Sequence, residues 1–98
     1  MAKIIAKGKW GGEVMTVICT EAGGRIKFTF NGREDDLLKE MLEGSLDMAP
    51  AMGGTYYPEK GTMLAYYHIL NTVFFTKLLE IETVGDIGQL PYEEGVIY

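Results

Sequence analysis

Residues 61–76 read Gly-Thr-Met-Leu-Ala-Tyr-Tyr-His-Ile-Leu-Asn-Thr-Val-Phe-Phe-Thr and contain no lysine, arginine, aspartate or glutamate. Apolar residues recur here at helical spacing, which predicts a helix over 60–77. One side carries Met63, Tyr66, Tyr67, Leu70, Val73 and Phe74, and the opposite side carries Leu64, His68, Ile69 and Phe75. A helix that is apolar on nearly all sides is buried on more than one side. The stretch therefore predicts a second covering layer in addition to a sheet.

The same region allows a competing interpretation. Threonine, valine and phenylalanine favour strands, so part of 72–84 is alternatively one long strand. Membrane insertion is the less favoured hypothesis, because a span needs about 20 predominantly apolar residues and this stretch contains His68 and Asn71. No secretory signal pattern precedes it, and the single cysteine, Cys19, fits a reducing compartment. We therefore expect a soluble cytoplasmic protein.

The first third of the chain predicts three strands. Residues 3–10 alternate apolar and charged side chains, and 25–30 alternate more cleanly, with Ile26, Phe28 and Phe30 facing the core. Residues 13–20 between them are rich in β-branched side chains, and the glycine pairs 11–12 and 23–24 suit tight turns. The pattern predicts a three-stranded antiparallel meander.

A helix is predicted over 33–43. Its first turn is acidic, which favours the positive end of the helix dipole, and Gly44 suits a left-handed cap. Its expected apolar stripe consists of Leu37, Leu38, Met41 and Leu42. The acidic side chains are expected to form its solvated face; docking on a basic partner is the alternative.

A fourth strand is predicted over 79–84, and 85–98 is expected to be an extended C-terminal tail. The element order is then β-β-β-α-α-β. This order indicates one α+β domain over residues 1–98, a two-layer sandwich in which two helices cover one face of a four-stranded antiparallel sheet.

Composition narrows the function classes. The chain has 98 residues, 47% hydrophobic, and a net charge of −5, which favours a folded core over disorder. One cysteine excludes an internal disulfide, and one cysteine with one histidine argues against a four-ligand zinc site. The glycine pairs do not form a phosphate-binding loop. We therefore expect no metal and no cofactor, and an enzymatic function is not the favoured hypothesis.

Charge is distributed unevenly along the chain. Residues 1–33 carry six basic and two acidic groups, whereas 34–98 carry three basic and twelve acidic groups. Strand alternation places Lys3, Lys7, Lys9, Arg25 and Lys27 on the solvent face of the sheet. Glu80 and Glu82 are expected to lie across from these lysines and pair with them. Because the aromatic residues face the core and the total charge is negative, nucleic acid is not the expected partner.

Tyrosines cluster around an irregular segment, residues 45–58, which is long enough to suggest a function. The candidate binding residues are Tyr56, Tyr57, Tyr66, Tyr67 and His68, since a tyrosine ring offers a wide apolar surface and one polar group. His68 is also a candidate general base oriented by Glu59 or Asp47. Core packing is the alternative for the tyrosines and for His68.

A self-complementary dimer is the first hypothesis for the layer that covers the second helix. Leu64, His68 and Phe75 are the predicted interface residues. In the rival arrangement, the tail 85–98 folds over the same stripe and the protein is a monomer.

Two functions follow from these patterns. The favoured one is a non-catalytic protein–protein interaction or accessory module with an unidentified protein partner. The alternative is a small-molecule binding protein or minor enzyme, with a pocket between loop 45–58 and the second helix that is lined by Tyr56, Tyr57, Tyr66 and His68.

Overall fold

The computed structural model describes residues 1–34, 36–51 and 57–88, apart from the side chain of Asp36. Within these ranges the sheet has five antiparallel strands in the spatial order β4-β3-β2-β1-β5. Their bounds are β1 (Ala2–Trp10), β2 (Glu13–Ala22), β3 (Arg25–Phe30), β4 (Arg33–Glu34) and β5 (Lys77–Val84). The α+β class and the N-terminal meander are as predicted, whereas the predicted number of four strands was wrong.

The additional strand arises from the turn at Asn31-Gly32. Asn31 and Gly32 have φ angles of 51° and 86°, the positive values that a two-residue type I′ hairpin turn requires. The Asn31 Oδ1 atom also accepts a hydrogen bond from the Thr16 N–H at 2.8 Å. The chain therefore reverses into β4, and Arg33 lies opposite Phe30 instead of starting a helix.

The first helix, α1 (Asp36–Leu46), begins and ends three residues later than predicted and runs through Gly44. Its buried residues are Leu38, Leu42 and Leu46, which share one face at i, i+4 and i+8. Leu37 and Met41, expected on this face, are exposed.

The second helix, α2 (Met63–Thr72), is shorter than the predicted 60–77. It begins where the Thr62 hydroxyl accepts the Ala65 N–H at 3.2 Å, as an N-cap threonine does. It ends where the N–H groups of Val73 and Phe74 both donate to the Ile69 carbonyl. β5 then begins at residue 77, inside the range of the competing strand interpretation.

Aromatic packing explains why the helix stops before residue 77. Phe74 stacks on Trp10 with ring centroids 6.2 Å apart, and Phe75 packs against Gly8 of β1. The space at Gly8 has no room for a side chain, because a β-carbon there would overlap the Phe75 ring and the Lys77 carbonyl. These contacts hold the connection against the sheet.

Both helices lie on the same face of the sheet. α2 contacts β1, β2 and β5, while α1 lies beside α2 and contacts β3. Seven of the ten residues of α2 are buried. On the side of α2 away from the sheet, Pro50 contacts His68 and Gly88 lies against Leu64. One chain therefore supplies covering contacts on more than one side of α2.

Across the described ranges, no helix is both long enough and apolar enough to cross a membrane.

Candidate functional site

Among the described residues, β4 pairs with only two of the six residues of β3. β2 pairs with β3 from Arg25 to Phe30, but β4, as far as the chain is described, pairs only with Thr29 and Phe30. The edge alongside 25–28 therefore lies beyond the paired residues of β4. Such an edge presents peptide groups that another strand can join.

The direction of these peptide groups follows from the two turns that flank β3. Residues beside a two-residue hairpin turn exchange both hydrogen bonds, and the direction then alternates along the strand. Arg25 follows the Gly23-Gly24 turn, so Arg25, Lys27 and Thr29 direct their N–H and C=O groups to β2. Phe28 and Ile26 consequently direct theirs to the other side.

A cavity of about 490 Å³ lies along this side, between β3 and α1. We call it the edge groove; its lining residues are Ile26, Lys27, Phe28, Glu34, Lys39, Glu40 and Glu43. Ile26 and Phe28 share the inner face of the sheet, and the three α1 residues form the opposite wall. The groove thus combines outward-directed backbone groups with apolar side chains beneath a helix.

Tyr66 connects Phe28, on the sheet side of the groove, with Glu43, on its helical wall. The Tyr66 ring meets the buried Phe28 edge to face, with centroids 4.8 Å apart. Its hydroxyl donates to the Glu43 carboxylate at 2.9 Å. Burial, and next the bond to Glu43, raise the pKa of Tyr66 far above the usual tyrosine value. The phenol is therefore a neutral donor that links α2 to the groove wall.

Charges at the groove mouth are mixed. The Lys27 ammonium lies 3.7 Å from the Glu34 carboxylate, and both side chains are about two-thirds exposed. An exposed pair of this kind contributes about 1 kcal/mol at most. Glu40 and Glu43 make the helical wall acidic, and Lys39 lies immediately before Glu40 along the chain. The inner part of the groove therefore disfavours an acidic side chain.

The predicted binding residues lie in several places. Tyr66 and His68 are buried and Tyr67 is half-buried, whereas Tyr57 is 66% exposed. Tyr56 is outside the described residues, so a common tyrosine pocket stays a prediction. Of the described candidates, Tyr66 is the one whose hydroxyl bonds to a residue lining the edge groove.

Tyr57 lines a separate cavity of about 430 Å³ with Leu46, Asp47, Pro58 and Lys60. His68 is not among its lining residues. The Nε2 atom of His68 lies 2.5 Å from the carbonyl oxygen of Pro50, so the ring donates to a backbone acceptor. This contact orients His68 without a carboxylate and ties the segment after α1 to α2.

The predicted interface residues are buried within a single chain. Leu64, His68 and Phe75 are 5%, 5% and 7% exposed. A dimer through these side chains would require them to leave their present contacts. The homodimer hypothesis stays a prediction, without an exposed surface at these three residues.

A further titratable group, Cys19, is structural. Cys19 is fully buried and its thiol donates to the Met63 sulfur at 3.5 Å; burial raises the pKa of Cys19 from 9.0 to about 12. Such a thiol is a small core side chain, as the mid-strand position of Cys19 suggests. Among the described residues, no three His, Cys, Asp or Glu side chains are grouped in a way that could hold a metal ion.

Sequence reasoning missed the edge groove because it assigned Ile26 and Phe28 only to the core. The signal that was available is Asn31-Gly32, the strongest short hairpin turn pattern, followed by the charged pair Arg33-Glu34. A hairpin there predicts a short outer strand, and within the described residues this strand pairs only with Thr29 and Phe30.

Comparison with known proteins gives no match: no family model, no curated protein and no solved structure is significantly similar to this chain. The fold and the site define it as a small two-layer α+β protein with an edge groove between strand and helix.

Proposed function

We propose that this protein is a non-catalytic protein–protein interaction module, which binds an extended segment of a partner as an added strand beside β3. The observation that supports the proposal is the coincidence of outward-directed backbone at Ile26 and Phe28 with the 490 Å³ groove under α1. Strand addition takes its affinity from main-chain hydrogen bonds and its selectivity from alternate side chains that enter pockets.

Each half of this recognition has a counterpart in the groove. Ile26 and Phe28 supply two N–H donors and two C=O acceptors, and each hydrogen bond made contributes about 0.5–1.5 kcal/mol net. A partner side chain on the inner face would cover the exposed part of Ile26, at roughly 25 cal/mol per Å² of apolar surface buried. Interactions of this size suit reversible binding.

The other long edge of the sheet is less suited to strand addition by a second copy. The register of β1 with β5 directs the peptide groups of Ile81 and Thr83 away from β1. Pairing Ile81 with Ile81 of a second β5 places Glu80 opposite Glu82, and pairing it with Thr83 places Glu82 opposite Glu82. Like charges directly opposite destabilise a strand pair, so β5 does not favour pairing with a second β5.

The proposal is tested with Ile26→Pro. This change removes an N–H that points into the groove and leaves the β2–β3 hydrogen bonds in place, which is where strands tolerate proline. Ile81→Pro is the matched control, since Ile81 is also a half-buried, inward-facing isoleucine whose N–H points away from the strand that it pairs with.

The assay selects binders from a phage-displayed library of random eight-residue peptides and maps a binder by amide chemical shifts. We expect shifts along β3 and α1, at least tenfold weaker binding by Ile26→Pro, and unchanged binding by Ile81→Pro. Shifts confined to the Tyr57 cavity, or equal losses in both variants, would reject strand addition in the groove.

A further inference from the structure

We infer that the partner segment presents acidic side chains on its outward face and apolar side chains on its inward face; this rests on the proposed function and names the chemistry of its ligand. The evidence is the outer surface of β3. Arg25 and Lys27 point to that surface, opposite Ala22 and Thr20 of β2. These four residues line a further cavity of about 260 Å³.

A strand added beside β3 brings its side chains next to this cavity. Directly opposed residues in an antiparallel pair have β-carbons about 4.5–5.5 Å apart, within reach of a charge pair. The outward side chains of the added strand would therefore lie beside Arg25 and Lys27. Carboxylates there would meet a guanidinium and an ammonium, whereas basic side chains would be repelled.

β4 provides a precedent within the chain. It is itself a short strand beside β3, and its outward residue Glu34 places a carboxylate 3.7 Å from the Lys27 ammonium. Glu34 lies opposite Thr29, so it reaches Lys27 diagonally. A partner strand that continues the line of β4 would place its own outward residues directly opposite Arg25 and Lys27.

The inward face of the added strand meets a different surface. It packs against Ile26 and Phe28 and faces the acidic wall formed by Glu40 and Glu43. Carboxylates on that face would be repelled and would lose water, so apolar side chains are favoured there. The two faces together specify a segment in which acidic and apolar residues alternate.

A second copy of β3 does not meet this requirement. The register that pairs Ile26 with Phe28 of the other copy places Lys27 directly opposite Lys27. The register that pairs Ile26 with Ile26 places Arg25 opposite Lys27. β3 of a second copy therefore does not supply the segment, and the partner is a segment in which acidic and apolar residues alternate.

The test uses two eight-residue peptides with capped ends, one alternating valine with glutamate and one alternating valine with lysine. Binding is followed by amide chemical shifts of Ile26 and Phe28. We expect the glutamate peptide to bind about tenfold more tightly, the ratio that two cross-strand charge pairs produce. The preference should decrease as salt concentration rises.

Charge reversal assigns the preference to its residues. In the double variant Arg25→Glu, Lys27→Glu we expect the preference to switch to the lysine peptide. The matched control is Lys3→Glu, Lys9→Glu, which changes the net charge equally on the same sheet face but on β1. This control should retain the preference for the glutamate peptide.

The possible results separate the two proposals. If both peptides bind with equal affinity and both change the Ile26 and Phe28 amide chemical shifts, the inferred preference for acidic segments is wrong and the proposal of strand addition stands. If neither peptide shifts these amides, strand addition is wrong and the specificity with it. The inference is also overturned if the variant Arg25→Glu, Lys27→Glu still prefers the glutamate peptide. The same holds if the variant Lys3→Glu, Lys9→Glu loses this preference.

Discussion

Removing the Tyr66 hydroxyl by Tyr66→Phe tests how the groove wall is held. The wild-type hydroxyl donates to the Glu43 carboxylate at 2.9 Å, and the phenylalanine ring retains the edge-to-face contact with Phe28. The substitution therefore removes one hydrogen bond and leaves the packing of the ring unchanged.

The magnitude follows from the charge and exposure of the acceptor. A hydrogen bond to a charged group contributes about 1.5–3 kcal/mol. Glu43 is half-buried, so water replaces part of the lost interaction, and we expect a loss of about 1.5 kcal/mol in the free energy of unfolding. For a domain of this size, this corresponds to a decrease in Tm of roughly 6–12 °C.

The measurement is urea unfolding at pH 7, with Tyr67→Phe as the matched control. Tyr67 is the adjacent residue of α2, and no hydrogen bond of its hydroxyl is present within the described part of the chain. We expect Tyr67→Phe to change stability by less than about 0.5 kcal/mol. In a double-mutant cycle with Glu43→Ala, the Tyr66→Phe loss should become small.

The pH dependence provides a second measurement. The pKa of Tyr66 is raised in the folded state by burial and by Glu43. Above about pH 10 the unfolded chain releases a proton from this residue that the folded chain retains, so the free energy of unfolding of the wild type falls. The stability difference between wild type and Tyr66→Phe should be constant below about pH 10 and shrink above it.

This reasoning is refuted if Tyr66→Phe and Tyr67→Phe are equally stable at pH 7. The bond to Glu43 would then contribute nothing, and the groove wall would be held by other contacts.

Three further outcomes are expected. In urea unfolding, Gly8→Ala should destabilise the fold by about 1–3 kcal/mol, because the new methyl group would overlap an aromatic ring. Gly44→Ala lies in open space within α1 and should stabilise the fold by about 0.5–1 kcal/mol. A Gly8→Ala variant more stable than Gly44→Ala would contradict the packing described. The free energy of unfolding should fall from about pH 9 upwards, because burial raises the pKa of Cys19 to about 12. The Cys19→Ala variant should lack the part of this decrease that comes from the thiol. Identical pH profiles of wild type and variant would exclude a contribution from Cys19. Asn31→Ala should lower stability by about 1–2 kcal/mol, because alanine is strained at positive φ and the hydrogen bond to Thr16 is lost. Asn31→Gly relieves the strain and not the lost hydrogen bond, so it should recover only part of this stability. Thermal unfolding of both variants measures the difference.

The sequence predicted elements whose cause is local. Alternation in 25–30 identified both faces of β3, and the glycine pairs predicted the turns that join β1, β2 and β3. The run of uncharged residues from 61 predicted a helix buried on more than one side, which burial of most of α2 bears out. Glu80 lies opposite Lys7 on the outer face as expected, whereas Glu82, also expected to face a lysine, lies opposite Ile5.

Element boundaries were less predictable because they depend on contacts made elsewhere. α1 begins after β4 because Arg33 and Glu34 pair with β3, and α2 ends where Phe74 finds the Trp10 ring on the first strand. A pattern within a short window contains neither partner. Tyr66 was recognised as a candidate, but its link to Glu43 joins residues 23 positions apart.

Local periodicity and turn chemistry thus determined which face of each strand is apolar and where the chain reverses. Only the tertiary structure decided which strands are neighbours and where the groove forms. β5, more than sixty residues after β1, pairs with β1, while α1 lies beside β3 at a distance that leaves a groove. Pairing of distant strands reflects the packing of the whole chain, and no single segment encodes it.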